Sequence, residues 1–270
     1  MSAQRVTDAW ALVHPETRES FLALPPSVAA VALDLDGTLL DTAGDIAAAV
    51  DLTLTSLGYP ALGPAAIRRF IGQGMLHLLR TSLTHAAHGV DPAPSLLAEA
   101  ERRFTRDYAA GLHRTTRLYP GALEGMSALR RLGLPLACVT NKPARFTDPL
   151  LAALDLTPWF RLVVSGDTLP VKKPDPGQLL HTARILHVAP AELLVVGDSQ
   201  HDLRAGRAAG CPVFCVRYGY TEDPAALAAE ADAGLDRLDE IPGLIVVSGS
   251  RPGFAPLTEA ASDSAPGSTN

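Results

Sequence analysis

One stretch, Val31 to Thr42, constrains this chain more than any other: V-A-L-D-L-D-G-T-L-L-D-T. The apolar run from Val28 to Leu33 has the length of a single fully buried strand. It stops at Asp34, a second carboxylate follows at Asp36, and Gly37-Thr38 breaks the strand. Two acids this close at the end of a buried strand repel each other, and burial disfavours their ionisation. A divalent cation and a reactive role would offset that cost. Asp34 is then a candidate carboxylate nucleophile, and Asp36 a candidate general acid and base beside it. Gly37 lets the backbone approach a phosphate closely. The plainer alternative is an Asp- and Gly-rich turn after a strand.

The pattern downstream decides which architecture surrounds this stretch. From Asp41 to Leu118 the periodicity is helical. Ile46, Val50, Leu54 and Leu57 share one face, Pro64 starts a second helix, and segments from Met75 and Ser95 continue the pattern. From Tyr119 onward, helices alternate with short apolar strands. Leu134–Val139 ends in Thr140-Asn141-Lys142, Leu162–Val164 in Ser165-Gly166-Asp167, and Leu193–Val196 in Gly197-Asp198-Ser199. A helix over Asp202–Ala209 closes at Gly210, and Val213–Val216 is a further strand. Strand–helix alternation predicts an α/β fold with a doubly wound parallel sheet, whose ligands bind beyond the carboxyl ends of the strands. The polar clusters fall at those ends.

Four regions thus converge in expectation: Asp34 with Asp36, Thr140 with Asn141, the run Lys172-Lys173-Pro174-Asp175-Pro176, and Asp198 with Asp202. A lysine in the third could neutralise both a nucleophile and a phosphoryl group. Carboxylates of Asp34 and Asp198 brought together make a hard, oxygen-lined site suited to Mg2+. Asp202 alone reads as a helix N-cap, a role compatible with supporting such a site. The loop I-G-Q-G-M places Gly72, Gln73 and Gly74 where backbone amides could meet a substrate, or where one helix simply ends and the next begins. Arg68, Arg69, His77 and Arg80 could face a substrate carboxylate, although each alone reads as a solvated face. Lys172 reads as a surface charge, and Asp41 as a cap for the first helix of the helical block.

Composition narrows the function classes. The formal net charge of −6 over 270 residues offers no basic face for nucleic acid. No run of about eighteen apolar residues suggests a membrane span, and the first residues lack the apolar core of a signal peptide. The three cysteines, Cys138, Cys211 and Cys215, form no C-x-x-C pair and read as buried reduced thiols, which points to a cytoplasmic setting. Oligomeric state, monomer or homodimer, is not encoded in any of these features.

The motifs D-L-D-G-T at Asp34, T-N at Thr140, K-P at Lys173 and G-D-S-x-x-D at Asp198, in this order, resemble the four motifs of the haloacid-dehalogenase superfamily. Within it, I-G-Q-G-M, V-T-N-K-P, K-K-P-D-P, V-G-D-S-Q-H-D, A-A-G-C-P and Y-G-Y are similar to the bacterial phosphoglycolate phosphatases, with His201 a departure where relatives often carry Asn. The resemblance implies a Mg2+-dependent phosphomonoester hydrolase acting on a small phosphorylated metabolite through an aspartyl-phosphate, 2-phosphoglycolate first among candidates. Asp34 would attack phosphorus. Asp36 would protonate the leaving oxygen, activate water, and offer its backbone carbonyl to Mg2+ beside Asp34 and Asp198. Thr140, Asn141 and Lys173 would hold the phosphoryl group, with Asp202 behind the metal or orienting Lys173. The implied organisation is an N-terminal arm (1–26), a core (27–42 and 119–247), a helical cap (43–118) and a disordered tail (248–270). A phosphatase or phosphomutase for another metabolite, such as a sugar phosphate, is the sister reading. A non-catalytic binding protein on the same fold is the reading from another class.

Overall fold

The structure is a computed structural model and describes residues 26–248. Nearly all of the arm and the tail expected from composition lies outside the described residues.

Strands β1 (Ser27–Val28) and β2 (Ala30–Leu33) replace the single strand expected over 28–33. Val28 pairs with a late strand, and the Ala29 amide is drawn aside to the Glu192 carbonyl at 2.9 Å, so the pairing of β2 begins only at Ala30. After β3 (Leu40–Asp41) come four helices: α1 (Ala43–Ser56), α2 (Pro64–Arg68), α3 (Met75–Ala86) and α4 (Pro94–Ala110). Strand β4 (Arg117–Leu118) returns antiparallel to β3 and closes this block. The remainder alternates: α5 (Ala122–Arg131), β5 (Leu136–Val139), α6 (Ala144–Ala153), β6 (Leu162–Val164), α7 (Gly177–Leu186), β7 (Leu193–Gly197), α8 (Gln200–Ala209), β8 (Val213–Val216), α9 (Pro224–Glu230), β9 (Ala233–Leu235) and β10 (Val246–Val247).

Six strands form one wholly parallel sheet in the order β6-β5-β2-β7-β8-β9. The chain builds outward from β2 on one side, then returns to build outward on the other. The strand order therefore reverses between β2 and β7, which is where doubly wound sheets open a crevice. The side-chain period of two sorts the strands between two cores. Val31, Leu33, Leu136, Cys138, Leu194 and Val196 face α5, α6 and the helical block. Ala30, Ala32, Ala137, Val139, Leu193 and Val195 face α7, α8 and α9. All three cysteines are buried and free, two of them inside β5 and β8.

The helical block is fastened at its root. Both carboxylate oxygens of Asp45, in the first turn of α1, accept from the amides and hydroxyls of Thr115 and Thr116 just before β4, at 2.7–3.1 Å. Burial alone would raise this carboxyl. The threonine hydrogen bonds outweigh it and hold the group below the ordinary 3.8.

Candidate active site

The carboxyl ends of β2, β5 and β7 bring the sequence-predicted residues together. Asp34 follows β2 directly, and its backbone amide is pinned to the Val196 carbonyl of β7 at 2.9 Å. Lys173 is almost sealed, at 4 % exposure. Its ammonium donates to Asp34 Oδ1 at 2.7 Å, Asp202 Oδ1 at 2.5 Å and the Val139 carbonyl at 2.7 Å, so all three protons are spent. Gln178 fixes the segment that carries it: its Oε1 accepts from the Lys173 amide, while its Nε2 donates to the Thr140 and Ser165 carbonyls.

Asp198 follows β7. It accepts from the Tyr220 amide at 2.7 Å and from the Thr38 hydroxyl at 3.3 Å. Ser199, not Asp202, is the N-cap of α8: its hydroxyl accepts from the Asp202 amide, while Asp202, at the third helical position, returns one oxygen to the Ser199 amide and turns the other to Lys173. The N-cap role expected of Asp202 thus falls to Ser199, because the helix starts at Gln200 rather than at Asp202. Carboxylate oxygens of Asp34, Asp198 and Asp202 all lie within 4.8 Å of one another. Burial pushes the Asp34 carboxyl up to about 7 against the pull of Lys173, with Asp202 and Asp36 adding repulsion. Asp198 is raised well above its ordinary value by burial and by the same neighbouring acids. An all-oxygen cluster of buried acids, short of positive charge, fits a hard divalent cation. Gly37 keeps the space clear: its φ is +91°, and a Cβ there would run into the Asp198 carboxylate.

Asp36 faces the same hollow from the other side. Its Oδ1 accepts from Thr42 Oγ1 at 2.7 Å, and both its oxygens lie 3.0 Å from the ammonium of Lys142. That ammonium also donates to the Tyr108 hydroxyl of α4 at 2.7 Å. Sequence reasoning puts Lys142 at a strand end without a role and does not single out Tyr108. The available signal was a lysine at a strand end, directly after Thr140-Asn141 and before a proline. Tyr108, four residues after Phe104, reads as one more core aromatic.

Between the sheet and the helical block lies a cavity of about 50 Å3. Its floor is Asp34, Asp36, Thr140, Asn141 and Lys142, and its walls include Ile46, Met75 and Phe104. Gly72 and Gly74 line it with φ of +112° and +88°, whereas Gln73 between them does not. Thr140 Oγ1 accepts from the Lys142 amide at 3.2 Å, which leaves its proton to donate. Asn141 also ties elements of the site together. Its side-chain amide donates to the carbonyls of Gly72 and Lys173 at 3.0 and 2.9 Å, tying the glycine loop to the lysine segment, and its buried Oδ1 has no partner. Lys172 is half-buried rather than on the open surface, because its ammonium rests against Gly74. Arg68 also leaves solvent, donating to the carbonyls of Tyr218 and Gly219. Arg69 and Arg80 do pair at the surface, with Glu222 and Asp91, and His77 meets Thr81. Asp41 faces the Tyr220 hydroxyl at 3.1 Å and the Ala43 amide at 3.4 Å.

Comparison with known proteins agrees with this arrangement. The chain matches the family of haloacid dehalogenase-like hydrolases over residues 31–216. It is 44 % identical over 216 residues to the phosphoglycolate phosphatase of Thiobacillus denitrificans, covering 80 % of this chain and 95 % of that protein. It is 47 % identical over 221 residues to that of Nitrosospira multiformis, covering 82 % and 97 %. Among solved structures, a predicted phosphoglycolate phosphatase from Haemophilus somnus superposes with a TM-score of 0.75 at 30 % identity, over 80 % of this chain and 96 % of that one. CbbY from Rhodobacter sphaeroides, solved in complex with phosphate, gives 0.67 at 26 %, over 80 % and 99 %. With its four motifs gathered at one end of a parallel sheet and these relatives spanning most of its length, the chain belongs to the haloacid dehalogenase-like hydrolase family and is an enzyme.

Proposed function

We propose that the protein is a Mg2+-dependent phosphomonoester hydrolase whose substrate is 2-phosphoglycolate. The observation that carries this reading is the convergence of Asp34, Lys173, Asp198 and Asp202 beside a small, apolar-walled cavity whose floor also holds Asp36. The relatives' names supply the substrate.

In this reading Asp34 and Asp198, with the Asp36 carbonyl, hold Mg2+, which supplies charge neutralisation for the phosphoryl oxygens. Lys173 shares that duty, and Asp202 keeps it aimed. The Thr140 hydroxyl donates to a phosphoryl oxygen. Asp34 attacks phosphorus, so that an aspartyl-phosphate forms as the P–O bond to glycolate breaks. Asp36 gives its proton to the departing glycolate oxygen, then takes one from the water that releases phosphate and restores Asp34. Helices α1 to α4 act as a cap that excludes bulk water during the first step.

The test is a panel of 2-phosphoglycolate, sugar phosphates and other small phosphate esters, with Mg2+ and with chelator, on the wild type and on Asp34→Asn. Mg2+-dependent turnover with the highest kcat/KM on 2-phosphoglycolate, abolished in Asp34→Asn, is the expected result. A sugar phosphate at the top of the panel would replace the substrate. Substantial turnover by Asp34→Asn would falsify the covalent route.

A further inference from the structure

We propose that Tyr108 is a positioning residue through which the cap sets the geometry of the acid–base carboxylate, by holding Lys142 against Asp36. The inference rests on the reading of Asp36 as the general acid.

Lys142 is buried, at 6 % exposure, and its ammonium stands 3.0 Å from each oxygen of Asp36. A cation equidistant from both oxygens fixes the tilt of the carboxyl plane as well as its position. Thr42 holds one of those oxygens from the hinge between β3 and α1. The remaining contact on the ammonium comes from the cap, where Tyr108 Oη accepts at 2.7 Å. In sequence, 34 residues separate these two partners, and they sit on opposite sides of the cavity seam. Only a seated cap delivers that hydroxyl.

The ring of Tyr108 has little freedom. It stacks on Phe104 of the same helix at 5.2 Å and meets Phe146 of α6 edge-on at 4.9 Å, while Phe104 meets Phe146 at 6.0 Å. Two of these three rings belong to the cap and one to the core, so the cluster registers α4 against α6. The hydroxyl at the end of a clamped ring then sets where the ammonium stands, and the ammonium sets where the carboxyl points. Proton transfer to a leaving oxygen depends steeply on such alignment. An open cap removes the acceptor and frees the lysine, which ties acid catalysis to closure.

The experiment separates positioning from general loosening through the leaving group. Glycolate must be protonated as it departs, whereas the acetate of acetyl phosphate, a molecule of similar size, departs without a proton. Single-turnover rates with enzyme in excess read the first step alone, for wild type and for Tyr108→Phe, which keeps the aromatic cluster. Expected is a fall in the 2-phosphoglycolate rate at least tenfold greater than the fall for acetyl phosphate. Lys142→Met should show the same selective fall, larger in size. Equal falls for both substrates, or no fall in Tyr108→Phe, overturn the proposal. Failure of the wild type to cleave either substrate with Mg2+ present overturns the proposed function instead.

Discussion

Lys173 and Asp34, 139 positions apart in sequence, form a buried ion pair with Nζ 2.7 Å from Oδ1. The ammonium is shared with Asp202, so removing it strands two carboxylates in a site nearly closed to water. Loss of one partner from a buried pair costs about 3–5 kcal/mol. Loss of the positive charge that offsets the developing phosphoryl charge costs about 10²–10³ in kcat. Lys173→Met should therefore show both effects, read by denaturant unfolding and by steady-state turnover. A variant as stable as the wild type would mean that the pair does not carry the burial described here.

Gly37 should tolerate nothing larger. Gly37→Ala forces a residue with a Cβ into φ of +91° and drives that atom into the Asp198 carboxylate. The strain costs of order 1–3 kcal/mol. The functional loss should be greater, because the displaced carboxylate is a proposed metal ligand. Turnover at saturating substrate should need several-fold more Mg2+. An unchanged Mg2+ titration would remove Asp198 from the metal site.

Much of this fold can be read in the chain. The alternation after Tyr119 yields the parallel sheet because each strand is short, apolar and stopped by a polar cluster, and a parallel strand buried on both faces shows just that signature. Asp34, Asp36 and Asp198 are legible for a related reason, since charged residues at the ends of apolar runs need a purpose, whereas Lys173 is singled out from Lys172 only by the K-P of the family resemblance. The roles of Lys142 and Tyr108 are not legible. Periodicity tells which face of α4 is buried, but not that one ring on that face carries its hydroxyl to a cation 34 residues away. The tie that the Asn141 side chain makes to Gly72 and Lys173 is equally silent in the sequence. The split of the first strand at Ala29 depends on Val246–Val247, which no local pattern links to it.

Asp45 offers a test of how the helical block is rooted. Its carboxylate collects hydrogen bonds from Thr115 and Thr116, and the group is held below 3.8. A depressed aspartate stabilises the fold above its unfolded value and loses that contribution as pH falls through the folded one. Asp45→Asn turns one acceptor into a donor facing donors, and should cost about 2–3 kcal/mol at pH 7. The gap between wild type and variant should persist from pH 7 down to about 4 and shrink below it. Urea unfolding of both proteins across that range gives the comparison. A gap that widens in acid contradicts the assignment.

Arg68 links the helical block to the segment that holds Asp198. Its guanidinium donates to the carbonyls of Gly219 at 2.8 Å and Tyr218 at 3.2 Å, and lies 4.8 Å from the centre of the Tyr220 ring. This three-residue segment is the one whose Tyr220 amide holds Asp198 and whose Tyr220 hydroxyl accepts from the amides of Thr42 and Ala43 at the cap hinge. Pulling on it should therefore disturb closure and the metal carboxylate together. Arg68→Met keeps the length of the side chain and removes its donors and charge. Charged hydrogen bonds of this kind contribute about 1.5–3 kcal/mol when buried. Arg68 is only half-buried, so the expected effect is nearer the lower figure, about tenfold. It should be seen as a rise in KM for 2-phosphoglycolate and a parallel rise in the Mg2+ needed for half-maximal rate, with kcat reduced less. If KM alone rises and the Mg2+ requirement stays fixed, Arg68 serves closure without touching Asp198. If neither moves, the contact is incidental to turnover.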